Sequence, residues 1–173
     1  PLLQRHDQNL LGNRLELTHK GRLFERQSDW ALGLDYSVNK QTRFPRSLTL
    51  NVSTVNPYSF NTENFFSIPG MTEGFVPDRS NQVTTLAVFA ENRTRLTDQL
   101  ALVSGLRHDH IGLEVSNQRT ATATDPAYFK NTYKPVTGRL GAVYELTPSA
   151  NLYAQYSTAA DPPAGILTTA NFS

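Results

Sequence analysis

Apolar and polar side chains alternate along two stretches of the chain, residues 95–110 and residues 138–157. Because successive side chains of a β-strand point to opposite faces, this period of two gives a strand one apolar face and one polar face. In the first stretch Leu100, Leu102 and Leu106 share a face, and the opposite face carries small or charged residues. The pattern predicts amphipathic strands. Whether their apolar face packs in a protein core or contacts lipid decides between a soluble β protein and a membrane protein.

The period of two predicts six strands, and the helical spacing of i, i+3 and i+4 fits none of them as well. The second strand is a clear example, because Trp30, Leu32, Leu34 and Tyr36 alternate with small and charged residues. The predicted strands cover about residues 10–18, 29–40, 83–95, 99–109, 137–146 and 151–158. We therefore expect an all-β chain.

The connections between these strands alternate in length. Short links are predicted at residues 96–98 and 147–150, and a somewhat longer one around Lys20-Gly21. Long segments follow at about 41–82, at 110–136 and from 159 onward. Loops beyond about 12–15 residues are uncommon in compact domains, whereas short turns at one edge and long loops at the other are typical of outer-membrane barrels. The sequence predicts an antiparallel transmembrane β-barrel segment with short periplasmic turns and long extracellular loops.

The composition removes several classes of function. The 173 residues have a net charge of +1, 18% charged residues and no cysteine. An even spread of charge does not fit a nucleic-acid binder, and without cysteine neither a disulfide scaffold nor a thiolate metal site can form. No stretch approaches the roughly 20 apolar residues of a membrane helix, and no signal-peptide pattern opens the sequence. Composition alone leaves both a soluble β protein and a transmembrane barrel open.

The two faces of the strands fit a barrel wall between lipid and water. Trp30, Tyr36, Tyr144 and Tyr156 lie on apolar faces near strand ends, where bilayer interfaces favour amphipathic rings. The alternative is that these rings cap the core of a soluble sheet. On the barrel interpretation the lumen-facing residues are Arg14, Glu16, Asp35, Arg107, Asp109, Arg139 and Glu145. We expect these charges to be satisfied by one another, by water and by groups inside the barrel. A direct role in cargo passage is the alternative.

Three hairpins resemble those of TonB-dependent outer-membrane receptors, in family order. The run FAENRTRLTDQLALVSGLRHDH (89–110) is similar to paired strands that often read as an aromatic-rich strand, then "rltdrlsl", then "GlRyD". The run VTGRLGAVYELTPSANLYAQYSTAADPP (136–163) resembles the next hairpin of that family. GNRLELT followed by WALGLDYS resembles an earlier hairpin of the siderophore-receptor branch. The resemblance covers most of the chain outside its long loops.

The resemblance implies a barrel of roughly 22 strands that is filled by an N-terminal plug. Six strands cannot close such a barrel and nothing here resembles the plug, so residues 1–173 are expected to be one internal part of the barrel domain. The family imports ferric siderophores across the bacterial outer membrane, driven by force from the TonB complex on the plug. We expect a receptor rather than an enzyme, in contact with outer-membrane lipid, with a ferric siderophore as cargo and no cofactor or nucleic-acid partner.

The motif His108-Asp109-His110 offers the sharpest local chemistry, since histidines at i and i+2 share a strand face and could meet one metal ion. No third ligand is evident, and the family usually has an interfacial Tyr at the position of His108. A structural role is therefore expected, and no metal site is predicted. A His-Asp hydrolase site would need a second acidic pair, and the sequence has no G-x-S-x-G motif either. Catalysis is not expected.

The segment at about 41–82 is rich in aromatic residues, which are costly to expose unless they pack together or bind something. Receptors of the resembled family hold ferric siderophores with aromatic and Arg side chains on outer loops. The candidates for cargo binding are therefore Tyr58, Phe65, Phe66 and Arg79. Packing of the loop on itself is the alternative.

Two other architectures remain open from the sequence. A complete barrel of about eight strands would need extra strands, for instance in 46–55 and 127–135, and pairing between its first and last strands. A soluble β-sandwich binding module would partition into water rather than detergent.

Overall fold

The computed structural model describes residues 2–47, 56–61, 67, 76–118, 121–123 and 126–160. These residues form one antiparallel sheet of seven strands. The strands are β1 (Leu2–Leu23), β2 (Arg26–Ser47), β3 (Arg79–Arg95), β4 (Leu100–Asn117), β5 (Tyr128–Tyr133), β6 (Val136–Thr147) and β7 (Ala150–Ser157). The prediction of an all-β chain is confirmed, and each of the six predicted strands is present. No helix in the described ranges has the length and apolar character needed to cross a membrane.

The strands follow one another across the sheet in the order β1-β2-β3-β4-β6-β7, with β5 also paired to β4. β5 and β6 form one interrupted strand, because both pair with β4 in a single register, from Ser116↔Tyr128 to Leu100↔Tyr144. The interruption falls at Pro135, which has no N–H to donate to the ladder. The carbonyl of Pro135 still accepts from the Asp109 N–H at 3.0 Å. The sheet therefore has six strand positions.

The short connections all join strand ends on the same side of the sheet, and we call this row of strand ends the turn edge. β1 and β2 meet in a two-residue turn at Phe24-Glu25, with φ of 50° and 63°. The expected link around Lys20-Gly21 is wrong, because these residues continue the ladder as Lys20↔Asp29 and Gly21↔Ser28. The segments 48–78 and 118–127 leave and return at the opposite edge, the loop edge. Both are shorter than predicted, because the strands continue beyond the residues that alternate.

The first and last strands of the described sheet do not pair with each other. Residues 128–133 do form a strand inside the 127–135 range that an eight-stranded barrel would require. That strand, however, continues into β6 rather than adding a position to the sheet. The proposed strand at 46–55 falls mostly outside the described residues. The described part of the chain is thus an open sheet.

The two faces of the sheet differ in burial. The face that carries the charged residues also buries a set of apolar side chains, namely Ala87, Phe89, Ala101, Ile111, Leu113 and Val115. The opposite face exposes most of its leucines, with Leu11 at 72% and Leu106 at 61%. We call these the polar face and the apolar face. Within the described sheet, the buried apolar side chains therefore lie on the polar face, which reverses the usual arrangement of a soluble sheet.

Candidate functional site

The apolar face presents a continuous exposed surface across all six strand positions. One row, joined by direct strand pairing, reads Leu15, Leu34, Val88, His108 and Val136. The exposed large side chains of this face include Leu11, Leu15, Leu17, Leu23, Trp30, Leu32, Leu34, Tyr36, Leu86, Val88, Leu106, Val136, Leu140, Tyr144, Leu146, Leu152 and Tyr156. Soluble monomers rarely expose apolar surface on this scale, so the face must meet lipid or another apolar surface.

Aromatic rings stand toward both ends of this apolar surface. Trp30 and Tyr36 are six residues apart on β2, a separation of about 20 Å along the strand. Tyr156 lies opposite Leu140 toward the turn edge, and the Tyr144 hydroxyl donates to Gln99 Oε1 at 3.1 Å. Each ring thus combines an apolar body with a polar group at the margin, which suits a boundary between hydrocarbon and water.

The polar face gathers five of the predicted lumen-facing residues into one network. Arg107 donates through Nε and Nη2 to Asp109, at 3.0 and 2.8 Å, and through Nη1 to Asp35. Arg14 lies 3.6 Å from Asp35 and 3.5 Å from Glu16. The sequence placed these side chains on one face, and strand pairing brings them together. The charges of this network are compensated within the wall itself.

Arg139 and Glu145, the other two predicted residues, lie outside that network. Arg139 Nη2 contacts Glu91 Oε2 at 2.6 Å. The sequence pattern did not identify Glu91 as a polar-face residue, because the alternation of the third predicted strand is weak. Glu91 lies two residues from both Phe89 and Arg93, so it shares their face of β3. Glu145 sits nearer the turn edge, and its side chain forms no ion pair within the described residues.

A cleft of about 300 Å³ on the polar face is lined by Arg14, Arg107, Arg139 and the ring of Phe89, among others. The Arg14 guanidinium lies 4.4 Å from the centre of the Phe89 ring. The ring lies over Gly33, where an added Cβ would come within 2.0 Å of Phe89 Cζ. Gly33 therefore leaves room for the tip of the Phe89 ring, and that ring in turn contacts the arginine.

Asp78 connects the strand ends at the loop edge. Its side chain is 4% exposed and accepts two donors from Arg43. Its N–H donates to the Arg43 carbonyl at 2.8 Å, and its carbonyl accepts from the Gln118 N–H at 2.9 Å. The ends of β2, β3 and β4 are thus tied through one carboxylate residue. No local pattern in the sequence indicates this pair, because Arg43 lies in β2 and Asp78 precedes β3, 35 residues away.

The predicted cargo-binding residues occupy different environments. Tyr58 is 96% exposed in a turn between Asn56 and Ser59. Arg79 is the first residue of β3 rather than part of the loop, and it is 5% exposed. Phe65 and Phe66 lie outside the described residues. Of the two candidates that the structure describes, Tyr58 offers a surface to a ligand and Arg79 is buried.

His108 and His110 both lie exposed on the apolar face. Val88 and Val136 are the direct strand partners of His108. Within the part of the chain that the structure describes, no group of three or more potential ligands could hold a metal ion. The two histidines are thus placed among apolar side chains.

Comparison with known proteins supplies a family and a fold. A family model described as TonB dependent receptor-like, beta-barrel, matches residues 3–172. The solved siderophore receptor PiuA from Acinetobacter baumannii has a TM-score of 0.68 at 24% identity, covering 92% of this chain and 24% of its own. The open form of the ferric-catecholate import receptor Fiu from E. coli K12 has a TM-score of 0.64 at 20% identity, covering 92% and 26%. No curated protein matches the sequence.

A third solved structure, the alcaligin outer-membrane receptor FauA from Bordetella pertussis, has a TM-score of 0.60 at 14% identity, covering 89% of this chain and 22% of its own. The chain thus spans about a quarter of the length of these receptors. At such identities the likeness shows the fold.

Proposed function

This chain belongs to the β-barrel family of TonB-dependent receptors, and on that basis we propose that it is part of an outer-membrane receptor that imports a ferric siderophore. One observation carries the proposal beyond family membership. A broad exposed apolar face lies opposite a polar face whose central charges are paired with one another. A lipid-facing outer wall and a wet lumen require this combination.

The apolar face meets outer-membrane lipid on this proposal, and the polar face lines the lumen. The residues facing the lumen are then Arg14, Glu16, Asp35, Arg107, Asp109, Arg139 and Glu145. A barrel of about 22 strands has room for six strand positions as roughly a quarter of its wall. The remaining strands and the plug belong to other parts of the receptor, and residues 1–173 form one part of its barrel domain.

The turn edge faces the periplasm and the loop edge faces outward on the same proposal, because barrels of this class have short periplasmic turns and longer extracellular loops. The segment 48–78 then carries the cargo-binding candidates Tyr58, Phe65 and Phe66, and the fourth candidate, Arg79, follows it as the first residue of β3. The exposed ring of Tyr58 supports direct contact with cargo. Since Arg79 is buried, we expect it to hold the root of the loop.

Transport of this kind needs no chemical step in the wall, so we propose a receptor without catalytic activity and without a resident cofactor. The TonB complex would act through the plug, which lies outside this chain. The cargo would be released inward when force displaces the plug. The bacterial outer membrane is the location that this mechanism requires.

The experiment is uptake of ⁵⁵Fe-labelled siderophores by cells that depend on the receptor carrying this chain. Tyr58→Ala should weaken binding of the cargo about tenfold, because one aromatic anchor contributes on the order of 1–2 kcal/mol. Phe60→Ala is the matched control, since Phe60 is a nearby exposed aromatic outside the candidate set. If the intact receptor takes up none of a broad siderophore panel, the proposed cargo is wrong.

A further inference from the structure

Four basic side chains stand together at the turn-edge end of the polar face. Lys20 and Arg22 project from β1, and Arg93 and Arg95 project from β3. Between them on β2 lies Asp29, which is the direct strand partner of both Lys20 and Arg93. All four basic side chains are exposed. We call this set the basic patch.

The basic patch differs from the rest of the polar face in its charge balance. Arg14, Arg107 and Arg139 each form an ion pair with a carboxylate of the same wall. Among the described residues, none of the four patch cations forms an ion pair. The wall therefore neutralises its central arginines and leaves these four uncompensated.

Four carboxylates line clefts beside the patch, and two of them, Asp98 and Glu91, already pair with other arginines. The other two, Asp29 and Glu145, do not resolve the imbalance. Asp29 Oδ2 accepts from Gln27 Nε2 at 3.0 Å, and its Oδ1 is buried without a hydrogen-bond partner. Glu145 shares a cleft of about 180 Å³ with Arg93 and Arg95, but forms an ion pair with neither. Four cations with two carboxylates leave a net charge of about +2. Inside a lumen, where the effective dielectric constant is lower than in water, this repulsion is costly until an anionic group arrives.

The spread of the patch indicates the kind of partner. Alternate residues on one strand are about 7 Å apart, and β1 and β3 are separated by two strand spacings, or about 10 Å. One carboxylate has two oxygens and matches one guanidinium fork at a time. Compensation of the whole area therefore requires at least two carboxylates separated by about 7–10 Å, which an acidic polypeptide provides.

We propose that the basic patch docks an acidic polypeptide segment held inside the barrel, with two or more Asp or Glu side chains facing Lys20, Arg22, Arg93 and Arg95. The proposal rests on the function above, because it takes the polar face as the wall of a lumen. It adds the site of contact on this wall and the chemistry of the segment that meets it.

Zero-length carbodiimide cross-linking of the intact receptor tests the contact, because this reagent joins a lysine amine to a carboxylate that touches it. We expect Lys20 to be joined to an Asp or Glu outside residues 1–173, identified by mass spectrometry. Lys40 and Lys134 are matched controls: both are exposed and lack ion pairs among the described residues, but they lie on the apolar face. Products of Lys20 that are confined to carboxylates of this chain, or no products, would overturn the proposal.

Charge removal provides a second measurement. Arg93→Lys and Arg95→Lys keep the charge and add amines, so they should yield further cross-links to the same segment. Arg93→Gln combined with Arg95→Gln should reduce the Lys20 cross-link at least fivefold and release the segment at a lower urea concentration. Lys40→Gln combined with Lys134→Gln should change neither value. Equal effects of the two double variants would contradict a specific contact.

Two results separate this inference from its premise. A receptor that imports a siderophore while Lys20 forms no cross-link to another segment would remove the docking proposal and leave the function standing. If the receptor imports no siderophore but the expected cross-link forms, the proposed cargo is wrong and the docking contact still stands. If millimolar citrate or phosphate binds at the patch and no polypeptide cross-link forms, a small anion is the partner and the proposal is wrong.

Discussion

A single glycine sets the arrangement of the central polar face. Gly33 lies beneath the Phe89 ring, and that ring supports the Arg14 guanidinium. A methyl group at position 33 would lie within 2.0 Å of the ring, so the ring would have to move. Because Arg14 also contacts Asp35, displacement of the ring reaches the charged network.

Gly33→Ala should therefore destabilise the folded receptor by about 1–3 kcal/mol, the usual cost of overpacking. The measurement is the urea concentration at which the barrel unfolds in lipid vesicles. Gly12→Ala is the matched control. Gly12 also lies on the polar face, on the neighbouring strand β1, and its added Cβ would meet its nearest neighbours at 3.6 Å, an ordinary contact. Equal midpoints for the two variants would show that the Phe89 ring is free to shift.

At the scale of elements, the strands are longer than a bilayer requires. β1 and β2 have 22 residues each, whereas about 9–11 tilted residues cross a membrane. Apolar alternation marks only the central part, which is why the predicted strands at 10–18 and 29–40 were short. Toward the loop edge the ladder continues through polar pairs such as Asn9↔Lys40 and Gln8↔Gln41. Backbone pairing persists there without an apolar face.

The interrupted strand β5–β6 leads to a prediction at this scale. Pro135→Val would supply the N–H that the ladder lacks opposite Asp109, and one backbone hydrogen bond contributes about 0.5–1.5 kcal/mol. We expect slower amide hydrogen exchange at residues 133–137 and a higher unfolding midpoint. Pro148→Val is the control, because Pro148 lies in the β6–β7 turn, outside both strands. Unchanged exchange around position 135 would mean that the interruption has another cause.

At the scale of the whole molecule, the environment of the apolar face separates a membrane wall from a soluble sandwich. Val88 is 50% exposed on the apolar face, and Thr85 lies on the polar face of the same strand. In water a charge at a half-exposed position costs little, whereas in hydrocarbon it is expensive. The two architectures therefore predict different effects of one substitution.

Val88→Lys should lower the stability of the receptor in lipid vesicles by about 2–4 kcal/mol if that face lies near the bilayer midplane. Thr85→Lys, placed on the polar face, should cost clearly less. Folding efficiency and urea midpoints in vesicles measure both variants. Comparable losses for the two lysines would contradict the assignment of the apolar face to lipid.

The sequence predicted correctly those features that depend only on neighbouring residues in the chain. The alternation of Leu15 and Leu17 with Arg14 and Glu16 needs only neighbours in the chain, since side-chain direction reverses at every residue of a strand. The turn at Phe24-Glu25 was missed because it lacks the Asn-Gly or Asp-Gly signal that usually marks two residues with positive φ. A local rule fails where the local residues are unusual.

The sequence by itself determined the all-β class, the six strand positions and the common face of Arg14, Asp35 and Arg107, because these follow from a period of two. Only the tertiary structure decided which charges meet. Arg139 with Glu91 and Arg43 with Asp78 are 48 and 35 residues apart, and their contacts depend on strand register. Register arises from pairing between distant segments, so it also decided that Lys20, Arg22, Arg93 and Arg95 stand together without ion pairs in the described wall.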